Sequence, residues 1–294
     1  MHSTENADDT WWVCVPRPGY PLATARRSAM SEWQLGDLDL DAYLARIGHA
    51  RVAPSAAALR SLHEAHVRSI PFENIDVLLG PHPGLGLKVI ADKLVHRRRG
   101  GYCFEHGLLF AAALELLGFE VRRRMARVRP DRPSARTHMV VLVRVAGIDH
   151  LADVGFGTGL VTPMPLVDGH EQDQNGWPHR ITRDGPLWIL WRRDADGWTP
   201  VHATDDLPQY PVDYEVANHY VSTHPKSPFS GQLVAMARGD RLTTRLVGTE
   251  LTTEHATAPE TTRTITPAEL KPTLHALGID LTDAELTTLQ AALP

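Results

Sequence analysis

The sequence predicts an α+β protein that runs from helices through antiparallel strands to a mixed helix and strand end. Three observations carry this reading. Apolar residues recur at helical spacing as far as Gly118; from Val121 to Val154 the period drops to two; beyond about Asn218 strand pieces precede a final helix. The 294 residues allow one large domain or two to three small ones, and a hydrophobic share of 43% is ordinary for a globular chain. With 30 Lys and Arg against 35 Asp and Glu, the net charge of −5 argues against a general binder of nucleic acid or anionic membrane. The strongest apolar run, Leu108 to Leu114, stops at Glu115, far short of a spanning helix. Asp8 and Asp9 stand where a secretory signal would be basic, and Trp11 to Val15 is too short for its apolar region. Cys14 and Cys103 alone can form neither a disulfide framework nor a four-thiolate zinc site. The expectation is a soluble, cytoplasmic protein.

Taken in order, residues 1–29 show no sustained period and read as an irregular extension, with Trp11 and Trp12 as its only anchors and Met30 as an alternative start. Asp39 to Ala50 and Ser55 to Arg68 read as helices; Ser55 is a start signal, and Leu59, Leu62 and His66 fall on one face. Gly80-Pro-His-Pro-Gly84 is a connection. A short helix over Val89 to His96 is broken by Gly100-Gly101, and a stronger one runs from Cys103 to Leu117 with Gly118 as its stop. Strands follow over 121–128, 138–145, 148–154, 188–192 and 198–201, which suggests a small barrel or sandwich. Leu233 to Arg238 and Arg241 to Val247 are further strand pieces, before a helix over Pro267 to Leu277 and another after Thr282.

Chemistry gathers around Cys103. Gly100 and Gly101 permit a tight turn, and the cysteine lands on the first turn of a helix, where unpaired N–H groups favour the thiolate. A thiolate nucleophile needs an imidazole, and the imidazole needs an orienting acceptor. His138, 35 residues on, begins the apolar strand Thr137-His138-Met139-Val140-Val141. Asp153, a further 15 residues on, lies between apolar residues before a glycine-rich bend. A turn at Gly147 would bring the two strands, and these two side chains, together. A buried Asp153 needs a partner, and His138 offers one.

Arg98-Arg99-Gly100-Gly101-Tyr102-Cys103-Phe104-Glu105 closely resembles the nucleophile motif of the arylamine N-acetyltransferases. Four further segments match that family in order: Ile70-Pro71-Phe72-Glu73-Asn74, Thr137-His138-Met139, Asp153-Val154-Gly155-Phe156-Gly157, and Asn218-His219-Tyr220-Val221-Ser222-Thr223-His224-Pro225 with Ser227 and Phe229. The resemblance spans roughly residues 31–245. It implies an N-terminal helical domain (31–118) carrying the nucleophile, a central antiparallel β-barrel (119–217) carrying His138 and Asp153, and a C-terminal α/β lid (218–294), around a core like that of cysteine proteases. It also implies that the Cys103-His138-Asp153 triad takes an acetyl group from acetyl-CoA and passes it to an arylamine, arylhydrazine or N-hydroxyarylamine, with no metal. Phe72, Thr137, Phe156 and Phe229 then border the acceptor, and Gly157, Thr158, Tyr220 and Lys226 the donor.

Two positions depart from the family pattern. Gly107 stands where an asparagine is usual, and the loop reads Gly157-Thr158-Gly159 where two glycines usually adjoin. Both bear on recognition of the acyl donor. The alternative within the family is an amide synthase that closes a macrolactam from a polyketide on an acyl carrier protein. Outside it stand a thiol hydrolase and an inactive binding protein. Arg122, Arg123, Arg124, Arg127, Arg129 and Arg132 read as an alternately exposed, solvated face, or else as a seat for CoA phosphates or a carrier. His63 and His66 have the wrong spacing for a zinc-protease helix and read as surface residues.

Overall fold

A computed structural model describes residues 32–293. The expected extension, with Trp11, Trp12, Cys14 and Met30, lies outside the described residues. The helical part begins with α1 (Leu40–Ile47), capped by the Asp39 carboxylate and stopped by Gly48 at φ +66°. Next comes α2 (Ala56–Ser69), whose Ser55 side chain accepts from the Ala58 N–H at 3.0 Å. A short strand β1 (Phe72–Glu73), α3 (Ile75–Leu79) and α4 (Leu87–Ala91) follow, and α4 passes into a single π-helical turn at Asp92–His96. Helix α5 (Cys103–Leu116) is buried on every side from Cys103 to Leu114, so it forms the centre of the main core and not an amphipathic surface element.

After Phe119 the chain forms β2 (Glu120–Val128), β3 (Arg136–Val145), β4 (Ile148–Leu151), β5 (Met164–Pro165), β6 (Glu171–Asp173), β7 (Pro178–Asp184), β8 (Leu187–Asp194) and β9 (Gly197–Thr204). They make one antiparallel sheet in the order β5-β4-β3-β2-β9-β8-β7-β6. The sheet curls until its ends meet. Beside β6, buried Gln174 accepts the N–H groups of Val161 and Thr162 at 2.9 Å, and this side chain bridges the gap to the segment leading into β5. A small apolar cluster of Ala126, Val140, Leu142, Leu151, Leu160, Met164, Ile181 and Leu190 fills the interior. The expected barrel is therefore present, nearly closed.

Helix α6 (Pro211–Thr223) returns the chain to α5, where Tyr214 packs edge-on against Phe104 and Trp33. Asn218 sits in the middle of α6. Strands β10 (Val234–Gly239), β11 (Leu242–Val247), β12 (Glu250–His255) and β13 (Ala258–Thr264) form the second sheet, in the order β1-β10-β11-β12-β13. Helices α7 (Leu270–Ala276) and α8 (Asp283–Ala292) share a separate apolar cluster with Leu233, Ala235 and Leu246 of this sheet. No described helix is long and apolar enough to cross a membrane.

The arginine-rich strand departs from its expected alternation. Arg123 is buried, paired with Glu115 at 2.8 Å and stacked over Trp33, and Arg124 is buried against Asp206. Arg122 bridges Asp149 and Asp206. Half of the stretch thus neutralises neighbouring acids, while Arg127, Arg129 and Arg132 remain outside any ion pair among the described residues.

Candidate active site

Cys103, His138 and Asp153 are brought together by three local devices. The first is the turn into α5. A Cβ on Gly100 would stand 2.1 Å from the Pro71 carbonyl oxygen, and one on Gly101 would stand 2.6 Å from Glu105 Oε2, so only glycine lets the loop lie this close. Glu105 reaches back to accept the Tyr102 N–H at 3.0 Å and fixes the first turn of the helix. Cys103, 4% exposed, directs its thiol toward the Thr137 carbonyl at 3.7 Å.

The second device is a β-bulge. Pairing of β2 with β3 passes from Ala126–His138 to Arg127–Arg136, which leaves Thr137 as the extra residue. Bulges re-aim side chains, and this one sits immediately beside His138. The third is the β3–β4 hairpin. Ala146 and Gly147 both have positive φ, and the ladder continues until Ala152 N–H meets the Val141 carbonyl at 2.8 Å. Asp153 comes next and accepts from His138 Nε2 at 2.7 Å, with the Gly155 N–H on its other oxygen at 3.1 Å.

Burial alone would strip the charge from His138. Asp153, with help from the neighbouring Cys103 thiol, outweighs it and pushes the imidazole up to about 10. Asp153 is in turn held well below the usual carboxylate range: burial opposes the charge, but His138 and His202 both donate to it. The site thus favours an imidazolium beside the sulfur. A Cβ on Gly155 would come within 2.9 Å of the Cys103 Cα and carbonyl oxygen, so the Asp153 loop packs backbone to backbone against Cys103.

Cys103 and His138 open into a cavity of about 480 Å³. All four expected acceptor residues, Phe72, Thr137, Phe156 and Phe229, line it. Of the expected donor residues, Thr158, Tyr220 and Lys226 line it; Gly157 instead takes φ +74° in the loop, where a Cβ would strike Met236 Sδ at 2.7 Å. Gly107 is absent from the lining. It is buried within α5 against Met139, so its departure from the family pattern concerns core packing and not the cavity.

Several contributors were not read from the sequence. His202 donates to Asp153 at 3.0 Å. A buried charge cluster underpins the loop before Cys103: Lys93 meets Glu105 and Asp76 at 2.9 Å each, and Arg99 meets Glu73 at 2.8 Å, Asp76 at 3.1 Å and Glu285 of α8 at 3.2 Å. Burial lifts Glu105 to about 7, against the pull of Lys93. Asn74 pins the Phe229 loop, donating to the Phe229 and Gln232 carbonyls at 2.7 and 2.8 Å, while the Tyr102 hydroxyl donates to Asn218 on α6. His63 and His66 are buried, contrary to the expected surface role. His63 bonds the Val161 carbonyl at 2.9 Å, and His66 links Tyr43 to His106.

His138, Asp153 and His202 are also a possible three-ligand metal set by proximity, the one such group among the described residues. Their separations of 2.7 and 3.0 Å are hydrogen-bond lengths, whereas three ligands each about 2.05 Å from one zinc would stand about 3.3 Å apart. In this geometry the three side chains hydrogen-bond to one another through Asp153.

Comparison with known proteins agrees with this geometry. Residues 55–286 match the N-acetyltransferase family profile. An arylamine N-acetyltransferase of Mycolicibacterium smegmatis is 40% identical over 265 residues, covering 86% of this chain and 96% of that protein. An arylamine N-acetyltransferase / N-hydroxyarylamine O-acetyltransferase of Salmonella typhimurium is 37% identical, over 66% of this chain and 71% of its own length. Among solved structures, Mycobacterium marinum arylamine N-acetyltransferase in complex with CoA superposes with a TM-score of 0.81 at 36% identity, covering 86% of this chain and 98% of that one. A shared fold, the expected motif order and this level of identity lead to one conclusion: the chain belongs to the arylamine N-acetyltransferase family.

Proposed function

We propose that Cys103, His138 and Asp153 carry out the family's acetyl transfer in this chain by a double displacement. The Cys103 thiolate attacks the thioester carbonyl of acetyl-CoA; its carbon–sulfur bond breaks, and the leaving thiolate takes the proton held by His138. The amine of an arylamine or arylhydrazine, or the hydroxyl of an N-hydroxyarylamine, then attacks acetyl-Cys103. His138 accepts its proton as the cysteine thiolate departs, and Asp153 keeps the imidazole in one tautomer. The observation that carries this reading is the 2.7 Å His138–Asp153 bond beside a buried thiol at the floor of the aromatic-lined cavity.

Phe72, Phe156 and Phe229 hold a flat aromatic acceptor, with Thr137 beside the reacting atoms. Thr158, Tyr220 and Lys226 meet the donor at the same cavity, and Gly157 shapes their loop. A cavity of about 480 Å³ suits one aromatic ring and a short acyl group. The pairing of Arg122, Arg123 and Arg124 with Asp and Glu leaves little of that strand to seat an acidic carrier protein, so acetyl-CoA is the donor in this reading. The division into a helical part to 118 and a barrel from 119 follows the change from helices to the first sheet, whereas the boundary between 217 and the lid from 218 falls within α6 (Pro211–Thr223), ahead of the second sheet's strands from Val234. The enzyme works in the cytoplasm, which its need for a reduced thiol supports.

Mixing the protein with acetyl-CoA should add one acetyl group to Cys103 by intact mass and release free CoA. Adding 5-aminosalicylate or hydralazine should then sustain turnover. Cys103→Ala should abolish both while leaving the fold intact. Turnover in that variant, or acylation only from a carrier-bound thioester, would overturn the reading.

A further inference from the structure

Asp153 accepts three hydrogen bonds. Gly155 N–H takes one oxygen, while His138 Nε2 and His202 Nε2 share the other at 2.7 and 3.0 Å. No role for His202 follows from the motifs. It lies on β9, where the pairing with β8 shifts from Leu190–His202 to Trp191–Pro200 and leaves Val201 as an extra residue. Like His138, it is aimed inward beside a bulge. Its ring is fully buried, 5.2 Å from the His138 ring and 5.7 Å from that of Phe156.

Its protonation state follows from its surroundings. Nε2 faces a carboxylate oxygen, so it carries a proton; Nδ1 is buried with no hydrogen-bond partner, so it carries none. The ring is therefore neutral, as its burial dictates despite the pull of Asp153. The other titratable groups nearby are Cys103 on α5, His63 on α2, His138 on β3 and His179 on β7. His63 and His179 bond backbone carbonyls of Val161 and Trp177 and are kept neutral by burial.

We propose that His202 is a positioning residue of the triad: by donating to the carboxylate oxygen that His138 uses, it fixes Asp153 and weakens that oxygen's hold on the His138 proton. This rests on the triad proposed above. One oxygen shared by two donors binds each less tightly, and the His202 N–H dipole opposes positive charge on His138. Without His202 the imidazolium keeps its proton more firmly, which impedes delivery to the leaving thiolate.

The test compares His202→Phe, which keeps a ring but no donor, with His202→Gln, which keeps an N–H at similar reach. His202→Phe should lower kcat by about 10- to 100-fold, as loss of an outer partner of a functional imidazole does elsewhere. It should also move the alkaline limb of the kcat pH profile up by about one unit and leave KM for 5-aminosalicylate within about twofold. His202→Gln should restore most of kcat and the original limb. Nitrogen-15 NMR of the wild-type imidazoles should show His202 neutral with its proton on Nε2 from pH 6 to 9, and this needs no variant to fold. A His202→Phe profile matching wild type with only Tm lowered, or a proton on Nδ1 of His202, would overturn the inference. Failure of wild-type protein to form acetyl-Cys103 would instead overturn the triad.

Discussion

Two buried histidine systems, one centred on His138 and the other on His106 of α5, differ in charge. On the barrel side His138 meets a carboxylate at 2.7 Å and is pushed up to about 10, Asp153 outweighing burial. On the helical side His106 donates to the Pro71 carbonyl at 3.1 Å and accepts from His66, which accepts from the Tyr43 hydroxyl. Among the described residues no carboxylate hydrogen-bonds to these side chains, and burial drives His106 down to about 4. Equal burial therefore gives an imidazolium in one place and a neutral ring in the other. The partner decides, not the depth: a charged partner makes a proton carrier, and a chain of neutral partners makes a brace for the Pro71-Phe72 segment.

The sharpest way to break the comparison is to remove the charge on the barrel side alone. Asp153→Asn keeps the shape of the carboxylate but abolishes its charge and permits the wrong tautomer of His138. Acetyl transfer should fall by roughly 10³- to 10⁴-fold, the scale on which triads lose activity when their orienting carboxylate is neutralised. Thermal stability should change little by comparison. Residual activity above a tenth of wild type, measured by CoA release, would mean that His138 does not depend on Asp153.

A second test concerns the charges that support the loop. Arg99 is fully buried and touches Glu73, Asp76 and Glu285, so it links β1, α3 and the last helix to the residue block before Cys103. Arg99→Leu leaves these carboxylates short of a partner, and breaking a buried pair from one side costs about 3–5 kcal/mol. Urea unfolding followed by far-UV circular dichroism should show a loss of that size. A loss below about 1 kcal/mol would show that Lys93, together with Arg97 paired to Glu285, suffices.

The two histidine systems also predict opposite pH limits. His63, His82, His106 and His179 are each driven down to about 4, chiefly by burial. The unfolded chain binds their protons below about 6.5, so stability should fall as pH drops through 6.5 to 4. Glu105, raised to about 7, works the other way over 7 to 4.5, but it is one group against four. His138, raised to about 10, stabilises fully below 6.5 and loses that contribution as pH climbs through 10. Differential scanning fluorimetry should therefore give a Tm maximum near neutrality, with a drop of about 5 °C or more by pH 5. A higher Tm at pH 5 than at pH 7 would contradict the assignment of neutral histidines.

How much of this was legible in the sequence depends on whether the cause is local. Cys103, His138 and Asp153 are marked by neighbours in the chain: two glycines, a strand start, a glycine-rich bend. The helices over 40–47, 56–69 and 103–116 announce themselves through caps and apolar spacing. His202 gives no such sign, because its partner lies 49 residues away and is brought near by the β2–β9 pairing. Helix α6 went unread because Val212, Val216 and Tyr220 point outward and blur its apolar face. Strand β6 spans only three residues, and β7 has Ile181 as its one large apolar side chain. His63 and His66, expected at the surface, are buried with Leu59 and Leu62 of the same helix, whose apolar face outweighs the usual exposure of histidine.

The smallest expected effect distinguishes two glycines that both lie against a neighbour. At Gly155 the atoms in the way belong to the Cys103 backbone, which cannot retreat without moving the nucleophile. At Gly107 they belong to Met139: an added Cβ would stand 2.8 Å from Sδ and 2.9 Å from Cγ. Replacing glycine by alanine inside a helix contributes about 1 kcal/mol of stability. Overpacking a buried site costs about 1–3 kcal/mol, at the low end here because a thioether re-orients readily. Gly107→Ala should therefore lose about 1 kcal/mol or less, and because the disturbed side chain lies outside the cavity, kcat/KM should stay within about twofold. Shortening the neighbour as well, in Gly107→Ala with Met139→Val, should recover part of the loss, since the clash rather than the helix is at fault. If the single variant instead lost activity tenfold with Tm unchanged, position 107 would act on the reaction itself, and its departure from the family pattern would concern acyl transfer after all.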